Sequence, residues 1–265
     1  MYFSLDCDPA AVHAATLPPA APLPALGVRP RALIVLGDLG QTSASAATVA
    51  SALAVARADA GAPPAGALLL GDLSYADCDE RRWDTWQALA SPLLSLAPAF
   101  AVAGNHELEA PCGRPFRAFR ARIPLPLSGT AAGDAEPPLW WSYDTGGVHL
   151  VGVSSHSALG PASRQLTWLD ADLAAVNRSA TPWVVAAMHV PWYNSNAKHQ
   201  GERDASLARD ALEARFLAAG VDLVLAGHVH AYERSAGGVR GARRDACSPG
   251  ACRFREACLC KGRCR

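Results

Sequence analysis

Five short apolar runs in this chain end on residues that can hold a metal ion or a phosphate. RALIVLG runs into Asp38, GALLLG into Asp72, AFAVAG into Asn105 and His106, WVVAAM into His189, and VDLVLAG into His228 and His230. Each signal is weak alone, because an aspartate after glycine commonly forms a turn or caps a helix, and a lone histidine is commonly just hydrogen-bonded. Five in succession carry more weight. In open α/β sheets ligands gather at the carboxyl ends of the strands, so residues far apart in sequence converge there on one site. Their carboxylate, amide and imidazole donors suit metal ions, and through them phosphate chemistry.

Tyr75 stands three places after Asp72, in GDLSY. A carboxylate at a strand end is common among metal-handling proteins, whereas a phenol held beside it is rarer. The plain reading of such a tyrosine is a buried ring with its hydroxyl on a backbone carbonyl. The other reading is an oxygen ligand.

Elements that would position these residues alternate along the chain. RALIVLGD is followed by an Ala-rich helical stretch from Thr42 to Ala60 closed by Gly61, then by GALLLGD, then by a helical stretch from Arg82 to Leu96. PAFAVAGNHE, VHLVGVSSH, TPWVVAAMHVP and VDLVLAGHVH continue the apolar runs, and a helix over Asp204 to Ala219 stops at Gly220. This alternation predicts βαβ units, an α/β fold and a mainly parallel sheet. LWWSYDTGGVHLV reads as a hairpin crossing a Gly-Gly turn, and Pro124, Pro126, Pro137 and Pro138 break any long element between Gly113 and Asp144. No repeat at a solenoid period is present.

Half of the 265 residues are apolar, enough for a sizeable core in one large domain or two small ones. Lys plus Arg and Asp plus Glu both number 24, so overall charge gives no reason to expect nucleic acid or an anionic membrane as partner. No apolar run is long enough for a transmembrane helix, and MYFSLDCDPAAV does not read as a signal peptide. Gly152-Val153-Ser154-Ser155-His156 is not the GxSxG elbow of a serine hydrolase, and neither a P-loop nor a Rossmann fingerprint occurs. Composition divides the chain into a Pro/Ala-rich leader at 1–30, a patterned region at 31–235, and a tail at 236–265 rich in Cys and Arg.

GDLG at 37–40, GDLSY at 71–75, GNHE at 104–107, the His189 segment and GHVH at 227–230 resemble the five ordered motifs of the purple acid phosphatases. These are calcineurin-like metallophosphoesterases. VNRSATPW, HVPWYNSN and AGHVHAYERS are similar to the plant-type branch, and the likeness runs from about Arg31 to Ser235. It implies an αββα sandwich of two mixed sheets flanked by helices. It also implies that Asp38, Tyr75 and His230 hold a ferric ion, that Asn105, His189 and His228 hold zinc, manganese or ferrous iron, and that Asp72 bridges the two. Many metallophosphoesterases have Asp-x-His at the first motif. Here Gly40 takes the histidine's place and Tyr75 supplies the ligand instead. The split follows donor hardness, and a neighbouring cation favours the phenolate of Tyr75, whose charge transfer to iron would colour the protein.

The activity implied is acid phosphatase: hydrolysis of small phosphate monoesters by a metal-bound hydroxide. The likeness sets His106 on the substrate phosphate and His199 and Glu202 near the leaving group. Two other readings stay open: a phosphodiesterase or nucleotide pyrophosphatase on the same scaffold, and a truncated paralogue that binds metal without turnover. The sequence departs from the family at Ala186, at Lys198 where relatives often have a second histidine, in the absence of an N-terminal β-sandwich, and beyond Ser235, where relatives continue through the last strands of the second sheet. The tail reads as a zinc or disulfide knot, a basic contact patch, or a chain end out of frame, the last being favoured by the abrupt change of composition. Asn177-Arg178-Ser179 is a glycosylation acceptor triplet, and Cys78 and Cys112, on the loops after the second and third motifs, are positioned for a possible disulfide. The resemblance implies a secreted or vacuolar protein. Oligomeric state is not legible.

Overall fold

Three apolar runs become parallel strands: β1 (Leu33–Leu36), β2 (Gly66–Leu69) and β3 (Ala99–Ala101), hydrogen-bonded in that order. Leu33 pairs with Gly66 and Leu69 with Ala101, so the three strands end level with one another. Helices α1 (Ser43–Ala58) and α2 (Glu80–Leu94) make the crossovers. The Asp79 carboxylate caps α2 by accepting from the Arg81 N–H. Every residue of β2 is buried, as expected of a strand covered on both faces. This computed structural model describes residues 32–58, 64–131, 134, 136, 138–235, 238–239 and 242–243. The expected leader at 1–30 lies outside the described residues, as does the tail apart from a ribbon of β8 (Gly238–Val239) and β9 (Ala242–Arg243).

The Gly-Gly hairpin forms as read, with β4 (Trp141–Thr145) antiparallel to β5 (Val148–Gly152). Gly146 and Gly147 have φ of 57° and 81°, the left-handed pair that a two-residue hairpin turn needs. β5 continues in parallel to β6 (Trp183–Ala187) and β7 (Leu223–Leu225), with α4 (Arg164–Ala175) and α5 (Arg203–Ala219) as crossovers. Among the described strands the first sheet is wholly parallel and the second mixed. A short α3 (Arg117–Arg122) lies in the stretch where the sequence predicts no long element. Its six residues span under two turns, too few for an apolar stripe to register as periodicity.

The sheets face each other across one apolar layer. Leu68, Leu70, Phe100 and Val102 of the first meet Trp141, Leu150, Val185 and Leu225 of the second. The Trp141 indole N–H donates across this layer to the Ala101 carbonyl at 2.7 Å. Outside the first sheet, Ile34, Leu36 and Leu69 pack under Val49, Ala52, Trp83, Trp86 and Leu93 of α1 and α2. Outside the second, Val151 and Ala186 pack under Leu166, Leu169, Leu212 and Phe216 of α4 and α5. The result is an αββα sandwich. No helix of the described residues is long and apolar enough to cross a membrane.

One ion cluster ties the hairpin to α4. His149 Nδ1 lies 2.7 Å from Asp144 Oδ1 and its Nε2 lies 2.9 Å from Asp172 Oδ2, while the Ser142 hydroxyl donates to Asp172 Oδ1 at 2.6 Å. Burial opposes charging this imidazole, but the two carboxylates outweigh it and raise its pKa above the ordinary value. A raised folded-state pKa contributes stability that is complete below the unfolded value of about 6.5 and is lost as pH climbs through the folded value. His149→Gln should therefore cost about 1–2 kcal/mol at pH 5.5, the worth of charge-assisted hydrogen bonds partly open to water. Urea unfolding should show the gap between wild type and variant narrowing by pH 8.5.

Candidate functional site

All seven expected ligands lie just beyond the carboxyl ends of strands. Asp38 follows β1, Asp72 and Tyr75 follow β2, Asn105 follows β3, His189 follows β6, and His228 and His230 follow β7. They form two groups. The Tyr75 hydroxyl is 2.8 Å from His230 Nε2 and 3.5 Å from Asp38 Oδ1, and His230 Nε2 is 3.4 Å from that same oxygen. In the second group His189 Nε2 is 3.3 Å from Asp72 Oδ2 and 3.1 Å from Asn105 Oδ1. Donor atoms of Asp72, His189 and His228 all lie within 4.8 Å of one another.

Second contacts fix these side chains. His189 is fully buried, and its Nδ1–H donates to the Leu70 carbonyl at 2.7 Å, which reserves Nε2 for the site. Both oxygens of Asp38 accept the His228 N–H, at 3.0 and 2.8 Å. Asp72 Oδ1 accepts the His106 N–H at 2.9 Å. The backbone is bent to suit: Asp38, Asp72, Tyr75 and His228 have φ of 52°, 50°, 49° and 71°, a left-handed conformation unfavourable for residues with a Cβ. Clustered strain of this kind is a mark of functional sites. Two glycines make the closeness possible. A Cβ on Gly104 would strike Asp72 Oδ1, and a Cβ on Gly40 would sit 3.4 Å from the ring of Tyr75. A longer side chain at position 40 would need to find its way past that ring.

The donor set fits cations. Asp38 and Asp72 are buried carboxylates, and among the described residues no lysine or arginine is paired with either. Donor separations of 2.8–3.5 Å match the edge, about 3 Å, between neighbouring ligands that each sit about 2.0–2.2 Å from one ion. Electrostatics agree. Burial would raise the Asp72 pKa, but the His189 imidazole and the His106 N–H outweigh it and hold it at about 2. Burial would lower that of His189, yet the Asp72 carboxylate takes it up to about 9. The pocket favours positive charge at this point, which a proton or a metal ion can supply.

The three residues expected around substrate also reach the site. His106 Nδ1 is 2.6 Å from Asp77 Oδ1 and its ring lies 4.3 Å from that of Tyr75. The His199 ring lies 4.2 Å from the His228 ring, tilted by 51°, and Glu202 bridges them, 2.6 Å from His199 Nδ1 and 2.8 Å from His228 Nε2. The loop carrying His199 is anchored where Glu233 accepts the Ser195 N–H through both oxygens, at 3.0 and 2.8 Å. Cys78 and Cys112 form a disulfide, which joins the loop after β2 to the loop after β3.

Two residues of the site escape the sequence reading. Asp77 is one, and its only signal is nearness to Tyr75. Glu107 is the other. Its Oε2 accepts from the Asp72 N–H at 2.8 Å and the Gly104 N–H at 2.7 Å, and Oε1 from the Leu73 N–H at 2.8 Å. Burial, then the Asp72 charge, push its carboxyl up to about 7. GNHE contains it, but nothing in that motif tells an inward-facing glutamate from a solvated one.

Comparison with known proteins gives the family and the fold. The model of the calcineurin-like phosphoesterase family matches residues 32–232. Purple acid phosphatase 22 of Arabidopsis thaliana is 41% identical over 203 residues, which cover 76% of this chain and 44% of that protein. A phosphoenolpyruvate phosphatase of Allium cepa is 38% identical over 209 residues, 76% of this chain and 41% of that one. The chain thus spans about two fifths of the length of these curated relatives. A solved purple acid phosphatase from yellow lupin (Lupinus luteus) seeds has the same fold, with a TM-score of 0.67 at 21% identity over 80% of this chain and 40% of that one.

Glu107→Ala would leave three buried N–H groups without an acceptor, at a cost of about 3 kcal/mol or more. Urea unfolding should show that loss, and Glu107→Gln, which keeps one accepting oxygen, should recover part of it.

Proposed function

The chain belongs to the calcineurin-like phosphoesterase family, and from that premise we propose that it is an acid phosphatase acting on small phosphate monoesters through a binuclear centre. The observation that carries this reading is the pair of adjoining donor groups at the strand ends, with Asp72 buried beside both imidazole and amide donors. Asp38, Tyr75 and His230 would hold Fe(III), Asn105, His189 and His228 a divalent zinc, manganese or iron ion, and Asp72 both. When bound, such a pair supplies Lewis acidity toward phosphoryl oxygens and acidifies water.

The chain's own residues do the rest. Asp77, bonded to His106 Nδ1, turns the other ring nitrogen toward the site, 4.0 Å from Asp72 Oδ2, where it can donate to a phosphoryl oxygen. His199, held through Nδ1 by Glu202, keeps Nε2 for the proton that the departing alkoxide needs. The catalytic unit is residues 31–235, with Tyr75 bound as phenolate. A Cys78–Cys112 disulfide supports an oxidising compartment, secreted or vacuolar, in which the exposed Asn177 is glycosylated.

Metal-loaded protein should hydrolyse 4-nitrophenyl phosphate at mildly acid pH and prefer it to the corresponding diester. Asp72→Asn should lower that rate about 10³-fold, several kcal/mol of transition-state stabilisation, and undiminished activity in the variant would end the reading. Visible absorption gives a separate check. Tyr75→Phe should abolish the phenolate-to-iron band and weaken iron retention.

A further inference from the structure

Glu202 holds two imidazoles with one carboxylate. Its Oε1 is 2.6 Å from His199 Nδ1 and its Oε2 is 2.8 Å from His228 Nε2. We infer that Glu202 is a positioning residue, not a proton donor, and that it sets the ring orientation of a metal-site histidine and of the leaving-group acid together. This rests on the function proposed above and refines it.

An ionised carboxylate only accepts, so with Glu202 ionised both contacts are ring N–H donations and it has no proton of its own to give. Its bond to His228 Nε2 leaves Nδ1 as the nitrogen free for a cation. Its bond to His199 Nδ1 leaves Nε2 as the nitrogen free for the alkoxide. A carboxylate fixing the tautomer and plane of a metal-ligating imidazole is a general device, and here the same anion also serves the neighbouring acid.

Local backbone supports this division of labour. Glu202 is the N-cap residue of α5, where a side chain ordinarily accepts an N–H of the first turn, yet it makes no capping hydrogen bond. It turns to the histidines instead, and Asp204 supplies the acidic group of that first turn. His199 and Gly201, with φ of 62° and 71°, fold the loop so that side chains three residues apart meet. The His199 and His228 rings then lie 4.2 Å apart, tilted by 51°, each with one nitrogen on one oxygen of the shared anion.

Four forms of the full chain test the idea: wild type, Glu202→Gln, His199→Ala and the double variant. Glutamine can accept from only one imidazole. Titration of metal-depleted protein with Co(II) should show Glu202→Gln binding about 10–100-fold more weakly, as expected when a carboxylate behind a ligating histidine is lost. Imidazole ¹⁵N shifts should move from single tautomers at His199 and His228 toward mixtures. Glu202→Gln should slow alkyl phosphates more than 4-nitrophenyl phosphate in the wild-type background and add nothing to that difference in the His199→Ala background. A further, additive loss there would make Glu202 itself the acid and overturn the inference. Unchanged Co(II) affinity with unchanged ¹⁵N shifts would reduce Glu202 to a helix-end residue. Loss of a whole Co(II) equivalent beyond two would make the His199, Glu202 and His228 cluster a cation site in its own right, also against the inference. If wild type proved inactive on phosphomonoesters, the proposed function would fail while the Co(II) and ¹⁵N readouts still decided the role of Glu202.

Discussion

Asp38 and Asp72, with side chains 2% and 3% exposed, are carboxylates taken out of water at the ends of neighbouring parallel strands. Desolvating a carboxylate costs several kcal/mol unless opposite charge or hydrogen bonds replace the lost water. Here backbone N–H groups and imidazoles provide that replacement, and no lysine or arginine among the described residues is paired with either acid. The concentration of negative charge is what makes this end of the sandwich a place for cations. Glu107 adds a third buried carboxylate, and its three N–H donors tie the loop after β2 to the loop after β3. The same electrostatic demand explains why His189, fully buried, is driven toward its protonated form.

Holding such a site requires a rigid support. Left-handed backbone at Asp38, Asp72, Tyr75 and His228 costs energy at each residue and persists only where surrounding structure fixes it. The fixing comes from strands that end level in the first sheet and from an apolar layer that locks the two sheets together. Close packing of backbone contributes as well. A Cβ on Gly227 would lie 2.6 Å from Asp38 Oδ2 and 2.8 Å from the Leu70 carbonyl, so the last motif approaches the first two with no side chain between them. Gly104 plays the same part against Asp72 and His189.

Four histidines of this cluster each have one ring nitrogen held by a partner, which leaves the other nitrogen available. For His189 it is the Leu70 carbonyl, for His106 it is Asp77, and for His199 and His228 it is Glu202. These partners come from different loops. The site is therefore a set of oriented nitrogens and oxygens whose orientation is as much a product of folding as their position. The disulfide between Cys78 and Cys112 braces the loops that carry Tyr75, Asp77 and His106.

Much of this was legible in the chain before it folded. Alternating apolar runs and helical stretches predicted β1, β2, β6 and β7 with their crossovers, because burial on both faces demands continuous apolar strands. Polar residues after those runs marked the side chains that gather here, since parallel strands bring their carboxyl ends to one rim of each sheet. The α3 helix was illegible because six residues hold too little periodicity to register. Asp77 and Glu107 were illegible for another reason: their work is defined by a partner 29 residues away in one case and by N–H groups up to 35 residues away in the other. Residue order alone determined which donors exist and on which strand ends they stand. Only the tertiary structure decided which nitrogen each imidazole presents, that Glu202 spans two of them, and that Asp38 and Asp72 are sealed from water, because hydrogen-bond direction and desolvation depend on neighbours that the chain brings together only by folding.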